Sequence, residues 1–385
     1  MSSFLTLDHV NVTRQNVVVR LDLNIPVKNQ HISDETRIVR SLTTIKELLD
    51  KEAKVIILSH FGRPKGQASA ALSLAPVARI LKQHLSCPVS FADNCIGEAA
   101  AFAIRHTPYG GVVVLENLRF HDGEEENSPA FAEHLARLGD LFVNDAFSCS
   151  HRAHASVVGI GDYLPVIAGR AMEAELRALE SILTTPKRPV MAIAGGSKVS
   201  TKLELLTNLI SKVDYLVLGG GMANTFLLAQ GQDIGESLAE PDLVPQAQAI
   251  INKAKTNNCT LILPEDYVCP EESFKIMDIG PRTVTRIQAA IDDCKTIVWN
   301  GPVGVFEVPP FDKGSVALAQ YIATKTQTNG LISVAGGGDT LACLNKAGVG
   351  AQFTYTSTAG GAFLEWLEGK TLAGISMLLS GGKRS

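Results

Sequence analysis

The sequence predicts an α/β protein of two doubly wound parallel-sheet domains joined by a helix. Three observations carry that prediction. Short apolar runs recur without the alternation of a half-exposed strand, as in strands covered on both faces. Amphipathic stretches of helical length lie between those runs. Polar and glycine-rich motifs follow almost every run, where an open parallel sheet binds its ligands.

In the first half the strand-like runs are 17–19, 55–58, 112–115 and 141–143, mostly β-branched. The stretches 37–52, 74–85 and 129–138 between them read as helices. Residues 169–180 are rich in Ala, Leu and Glu and form a further helix, stopped by Pro186 and Pro189. The loop chemistry changes character across this helix, which places a domain divide at 168–183. The second half repeats the scheme with runs at 190–194, 215–218, 260–263, 296–299 and 331–335. The expected organisation is a first domain at 1–168, a connecting helix at 169–184, a second domain at 185–373 and a terminal segment at 374–385.

A chain of 385 residues holds two domains with their own cores. The net charge of −4 leaves no global basic field for nucleic acid. No apolar run approaches a membrane span, and Met1-Ser2-Ser3-Phe4 lacks the basic and apolar regions of a secretory signal. The seven cysteines are dispersed without a C-x-x-C pair, which implies reduced thiols in a cytoplasm-like compartment. Cys149 stands near His151 and Arg152, and an incidental buried thiol is the better reading of it.

The first half places Arg and His after its strands. In 17–26 a period of two sets Arg20, Asp22 and Asn24 on one side, with Asp22 and Asn24 as acceptors for a hydroxyl. Arg20 could equally pair with a carboxylate inside the fold. Arg37 opens a helix among acidic residues and alone would read as a surface ion pair. Ser59-His60-Phe61-Gly62-Arg63-Pro64 combines two anion donors with an accessible backbone. Arg119 and Arg152 end two further strand-following loops, whereas His121 and His154 read as structural or surface residues. Forked guanidinium donors suit a small, multiply charged anion.

The second half places glycines at the same kind of position. Gly195-Gly196-Ser197-Lys198-Val199-Ser200-Thr201-Lys202 is expected to run from strand into helix, with Lys198 and Lys202 one turn apart around a polyphosphate. Gly219-Gly220-Gly221, Gly336-Gly337-Gly338-Asp339-Thr340 and Gly360-Gly361 add three more such loops. Asp339 is a candidate magnesium ligand, Thr340 a cap, and Glu307 in 299–307 a candidate for ribose hydroxyls. A P-loop is excluded, because Leu364 stands where its first glycine belongs before Gly369-Lys370-Thr371. The stretches 219–224 and 336–341 both lack the last glycine of a dinucleotide fingerprint.

Taken together, Val19-Arg20-Leu21-Asp22-Leu23-Asn24-Ile25-Pro26, the Ser59–Pro64 stretch, Leu115–Phe120, His151-Arg152-Ala153-His154-Ala155-Ser156, Gly195–Lys202, Gly219–Phe226, Trp299–Glu307 and Gly336–Thr340, in this order, closely resemble phosphoglycerate kinases over the whole chain. The resemblance implies two Rossmann-like domains closing about a hinge, a monomer, and reversible phosphoryl transfer between 1,3-bisphosphoglycerate and ADP, giving 3-phosphoglycerate and ATP. It implies that Asp22, Asn24, Arg37, His60, Phe61, Gly62, Arg63, Arg119 and Arg152 hold 3-phosphoglycerate. It implies that Gly195, Lys198, Lys202, Gly219, Gly220, Asn300, Glu307, Gly337, Gly338, Asp339 and Thr340 hold the nucleotide, with Mg²⁺ at Asp339. Arg37, Lys202 and Gly361 would surround the transferring group, and residues after about 374 would return to the first domain.

Three departures from the family pattern stand out. Ala359 replaces the first of three glycines, at a cost of about 1 kcal/mol if that position needs positive φ. Ser148-Cys149-Ser150 replaces Gly-Thr-Ala, which puts that loop's turn geometry in question. Thr201 stands where many members carry Asp. The acceptor of this reaction is a carboxylate, already ionised at neutral pH, so no general base is needed. Two other classes are weighed beside it: a nicotinamide-dependent dehydrogenase, disfavoured by the missing fingerprint, and a non-catalytic binding protein, disfavoured by the intact Arg37, Lys202 and Asp339.

Overall fold

Two six-stranded sheets, parallel throughout, form the frame of the computed structural model. It describes residues 4–28, 31–32 and 34–383, with the backbone alone at 27–28 and 31–32. The leader reading at 1–3 and the last two residues of the expected terminal segment fall outside the described residues. The chain divides into two units, Met1–Leu176 with Thr371–Ser385, and Arg177–Lys370. The division falls inside the helix Arg170–Leu183.

The first unit contains β1 (Asn16–Arg20), β2 (Lys54–Leu58), β3 (Val89–Ala92), β4 (Val112–Leu115), β5 (Leu141–Asn144) and β6 (Val166–Ala168), in spatial order β3-β4-β2-β1-β5-β6. The central strands are Val- and Ile-rich and buried along their length, as two-sided cover demands. The helix Thr36–Asp50 seals one face with Ile38, Leu42, Ile45 and Leu48, a spacing of three and four residues. The helix Ala373–Ser380 belongs to this unit: Gly374 N–H donates to Ser150 O at 2.8 Å, and Val166 N–H to Gly381 O at 3.1 Å.

The second unit contains β7 (Val190–Ala194), β8 (Tyr215–Leu218), β9 (Thr260–Ile262), β10 (Thr296–Asn300), β11 (Ile332–Gly336) and β12 (Tyr355–Ser357), ordered β9-β8-β7-β10-β11-β12. Counted within the unit this is 3-2-1-4-5-6, the order of doubly wound nucleotide folds. The first unit differs by slipping β4 between β2 and β3. In each sheet the chain reverses its direction of growth beside the first strand, and ligands bind at that crevice. Ala194 lies opposite Asn300 there in one sheet, and Arg20 opposite Asn144 in the other.

The sequence does not announce β3, β6 and β12. All three are edge strands. Two of them, Val-Ser-Phe-Ala and Tyr-Thr-Ser, are half-buried and carry hydroxyls where the inner strands carry Val and Ile. The third is only three residues long.

Candidate functional site

In the first unit, four loops leave the carboxyl ends of β1, β2, β4 and β5 on the same edge, because the strands are parallel and in register. Past β1 burial alternates: Leu21 and Leu23 are buried, while Asp22 and Asn24 are half-buried. Asp22 Oδ2 pairs with Arg37 Nη1 at 2.7 Å and accepts from the Ser148 hydroxyl. The same Arg37 nitrogen donates to Asn24 O at 2.8 Å. Asn24 Oδ1 accepts from Gly62 N–H at 2.9 Å, and Gly62 O accepts from Arg119 Nη1 at 2.9 Å. Asp22, Asn24, Arg37, Gly62 and Arg119 therefore form one connected set.

Arg20 departs from the alternation: it is 1% exposed and belongs to the interior. Its Nε donates to Ser156 Oγ at 2.9 Å, and Ser156 in turn donates to Glu124 Oε1 at 2.6 Å. Burial alone would raise the Glu124 carboxyl, but His154, Arg20 and Ser156 hold it below its ordinary value. A buried cation and anion are thus linked through one hydroxyl, which pins the loop after β5 to β1. Arg20 Nη2 lies 3.1 Å from His60 Nδ1. A guanidinium can only donate, so Nδ1 accepts and the ring proton sits on Nε2. Burial, followed by the charges of Arg20, Arg119, Arg152 and Arg37, holds the His60 pKa well below its usual value. His60 is therefore neutral, with the Arg20 guanidinium on Nδ1 and the charges of three further arginines acting on it.

Phe61 is buried in the core and offers only its backbone, whose N–H is taken by Asn117 Oδ1 at 3.1 Å. Arg63 is exposed and has no ion pair or hydrogen bond among the described residues. Arg152 is half-buried, with Nε donating to His151 Nε2 at 3.2 Å. His121 bonds Asn94 at 3.0 Å and His154 faces Glu124 at 3.7 Å, both structural positions. The Ser148–Cys149 departure folds as a short 3₁₀ turn that brings a hydroxyl to Asp22 and a thiol to within 3.6 Å of Arg20. Burial raises the Cys149 thiol, so it is no nucleophile at neutral pH. Asp22, His60 and Cys149 bring ligand atoms within 4.8 Å of one another, but the surrounding arginines oppose a metal cation there and favour an anion.

The second unit encloses a cavity of about 740 Å³, a volume suited to a nucleotide. Gly195, Lys202, Gly220, Asn300, Glu307, Gly337, Gly338, Asp339, Thr340 and Gly361 all line it. The helices Gly220–Ala229, Gly338–Lys346 and Gly361–Leu367 begin at it, so the positive ends of three helix dipoles meet there, although Gly220 and Met222 N–H are already taken by Val303 O and Gly196 O and Ala362 N–H by Ala359 O. Gly195 must lack a side chain, because a Cβ there would overlap Pro302 O. Lys202 Nζ donates to Gly195 O at 2.7 Å and to Asn300 O at 2.9 Å, directly over the crevice between β7 and β10. Burial lowers its pKa to about 8, against the opposing charge of Asp339. Thr340 Oγ1 joins two turns, accepting from Gly301 N–H at 2.7 Å and donating to Gly336 O at 2.9 Å.

Four expectations are corrected here. The stretch 195–202 leads from the strand into a helix as expected, but the helix begins only at Leu203, with Lys202 as its N-cap, so Lys198 and Lys202 are not stacked one turn apart. Lys198 is exposed and does not line the cavity. Gly219 is buried against Val303 and does not line it either. Ala359 carries no strain, because the left-handed residue is Gly360, at φ +50°. Residues that the sequence reading missed complete the cavity: Leu238, Ile276, Met277 and Val305 form an apolar wall. Such residues carry no distinguishing pattern, although Leu238 is half exposed in the fold, as a base-stacking residue would be.

Asp339 is exposed at the first turn of the helix Gly338–Lys346. One carboxylate beside a phosphate cradle fits Mg²⁺, which takes one or two carboxylates and completes its shell with phosphates and water. Among the described residues no helix is long and apolar enough to cross a membrane.

Residues 7–370 match the family model described as phosphoglycerate kinase. A phosphoglycerate kinase of Bradyrhizobium diazoefficiens is 55% identical, covering 98% of this chain and 99% of its own. One from Rhodopseudomonas palustris is 53% identical over 98% of each chain. The solved phosphoglycerate kinase of Coxiella burnetii superposes with a TM-score of 0.90 at 42% identity, covering 99% of this chain and all of its own. With two parallel sheets, an arginine-rich loop edge on one and a glycine-lined cavity on the other, the chain belongs to the phosphoglycerate kinase family.

Proposed function

We propose a division of labour between two half-sites for the family's reaction, phosphoryl transfer between 1,3-bisphosphoglycerate and ADP giving 3-phosphoglycerate and ATP. Asp22 and Asn24 take the hydroxyl of the small acid. His60, Arg119 and Arg152 hold its phosphate, with Arg63 joining from the exposed end of the loop. The convergence of four guanidinium charges on one neutral histidine carries this assignment. Catalysis is positioning and charge neutralisation rather than proton transfer, because the acceptor is a carboxylate.

The nucleotide is assigned to the glycine-lined cavity, with Glu307 at the ribose, the apolar wall at the base and the three helix starts at the phosphates. Mg²⁺ bound at Asp339 would neutralise charge on the nucleotide phosphates during transfer. Arg37, Lys202 and the Gly361 N–H are the donors assigned to the transferring phosphoryl group. Bringing the ligands together is assigned to hinge closure, which also shields an acyl phosphate from water. Compaction in small-angle scattering only when both ligands are present is the expected signature.

A coupled assay for ATP formation from 1,3-bisphosphoglycerate and Mg-ADP tests the function directly. Thermal protection by NAD but not by Mg-ADP would reverse the reading of the cavity.

A further inference from the structure

One wall of the cavity rests on a carboxylate that no ligand can reach. Asp278 opens the two-residue strand Asp278–Ile279 and is 1% exposed. Its Oδ2 accepts from Gly314 N–H at 2.7 Å, at the start of the helix Lys313–Asn329, and its Oδ1 accepts from Ile279 N–H at 2.9 Å. A Cβ on Gly304 would overlap Oδ1, and one on Gly314 would stand 2.6 Å from it. The preceding residue, Met277, accepts from Val305 N–H at 2.8 Å. The carboxylate thus fills the space between the cavity loop 301–306 and that helix.

No ion pair involves Asp278 among the described residues. The charged group facing it is Asp312, of like sign and itself paired with Lys346 at 2.8 Å. Lys346 also donates to Phe306 O at 2.8 Å, Lys313 acts on Asp312, and the Cys343 thiol on the neighbouring helix feels the Asp278 charge. A buried carboxylate without a cation costs stability that an amide or an apolar side chain would not. A residue that costs stability beside a binding wall points to a role in binding.

We propose that Asp278 is a positioning residue for the nucleotide: its carboxylate sets the spacing between the loop 301–306 and the helix Lys313–Asn329, and with it the wall formed by Met277, Gly304 and Val305. The proposal rests on reading this cavity as the nucleotide site. Burial, with Asp312 adding to it, brings the Asp278 pKa to about 7. Protonation turns one oxygen into a donor, so one of the two N–H bonds is lost and the wall loosens as pH falls.

The test is steady-state kinetics of Asp278→Asn against wild type at pH 8 and pH 6, in the same buffers so that titration of the nucleotide is common to both. At pH 8 the Mg-ADP KM is expected to rise about fivefold, the worth of one buried hydrogen bond, with kcat and the acid-substrate KM within about twofold. At pH 6 the ratio of variant to wild-type nucleotide KM should fall toward one. A nucleotide KM ratio of one at both pH values overturns the proposal. If Asp278→Asn does not fold, Gly314→Ala, which drives a methyl group into the carboxylate from the helix side and outside the cavity, is expected to show the same KM-specific loss, and an unchanged nucleotide KM overturns the proposal. Hydrogen exchange of wild type with Mg-ADP separates the two levels: protection of 301–307 and 336–340 upholds the cavity reading, and its absence defeats that reading whatever the variants do.

Discussion

The ammonium of Lys202 donates to the side-chain oxygen of Asn300 at 2.6 Å, while the amide nitrogen of Asn300 donates to Gly336 O at 2.9 Å. One side chain thereby joins the lysine at the crevice of the sheet to the strand end that carries the Gly337 turn. With Gly195 O and Asn300 O as further acceptors, all three ammonium protons are used. A phosphoryl oxygen that takes one of them replaces a neutral acceptor with an anionic one, which strengthens the bond.

This pairing sets a pH limit. The Lys202 pKa is lowered to about 8 by burial, so its charge is present below that pH and lost above it. Activity and Mg-ADP affinity should both decline as pH rises through about 8. Asn300→Asp places a carboxylate against the ammonium and should move that alkaline limb upward by about one unit or more. An unshifted limb in the variant would assign the titration to another group.

Arg37 holds Asp22 and Asn24 within the acid site yet is assigned to the transferring phosphoryl group. Arg37→Ala should lower kcat by roughly 10²–10³ while leaving the nucleotide KM near its wild-type value. A loss confined to nucleotide affinity would remove Arg37 from that role.

His60 should remain neutral, with its proton on Nε2, through the range in which an ordinary histidine titrates, because burial and four arginines depress its pKa. Nitrogen chemical shifts of labelled histidine read this directly. An imidazole that titrates near 6.5 would contradict the buried arginine-ringed setting.

The glycine-rich turn before the helix Gly361–Leu367 places its left-handed residue at Gly360, not at Ala359. Ala359→Gly should therefore leave activity within about twofold and lower stability by a few tenths to about 1 kcal/mol, because glycine loses more freedom on folding. Gly360→Ala should cost about 1–2 kcal/mol by thermal or denaturant unfolding.

Much of this architecture is legible in the sequence because parallel inner strands such as Lys54–Leu58 are uninterrupted apolar runs and every ligand loop except Gly360–Gly361 follows one. Legibility ends where one residue type serves two environments. Arg20 continues the polar alternation of Asp22 and Asn24 but is interior, since the partners that bury it come from distant loops at His60 and Ser156. Lys198 and Lys202 look equivalent four residues apart, yet the chain between them is not helical and only Lys202 reaches the crevice. The apolar wall of Leu238, Met277 and Val305 is assembled by tertiary contacts that no local pattern encodes.

The account's central claim is that the arginine-lined edge takes the small acid and the glycine-lined cavity takes the nucleotide. Hydrogen exchange measured with each ligand alone tests it most directly. The account predicts that 3-phosphoglycerate protects 22–24, 59–63, 117–119 and 145–156, while Mg-ADP protects 195–202, 300–307, 336–340 and 360–361. Protection of the glycine loops by 3-phosphoglycerate alone, or of the arginine loops by Mg-ADP alone, would contradict it.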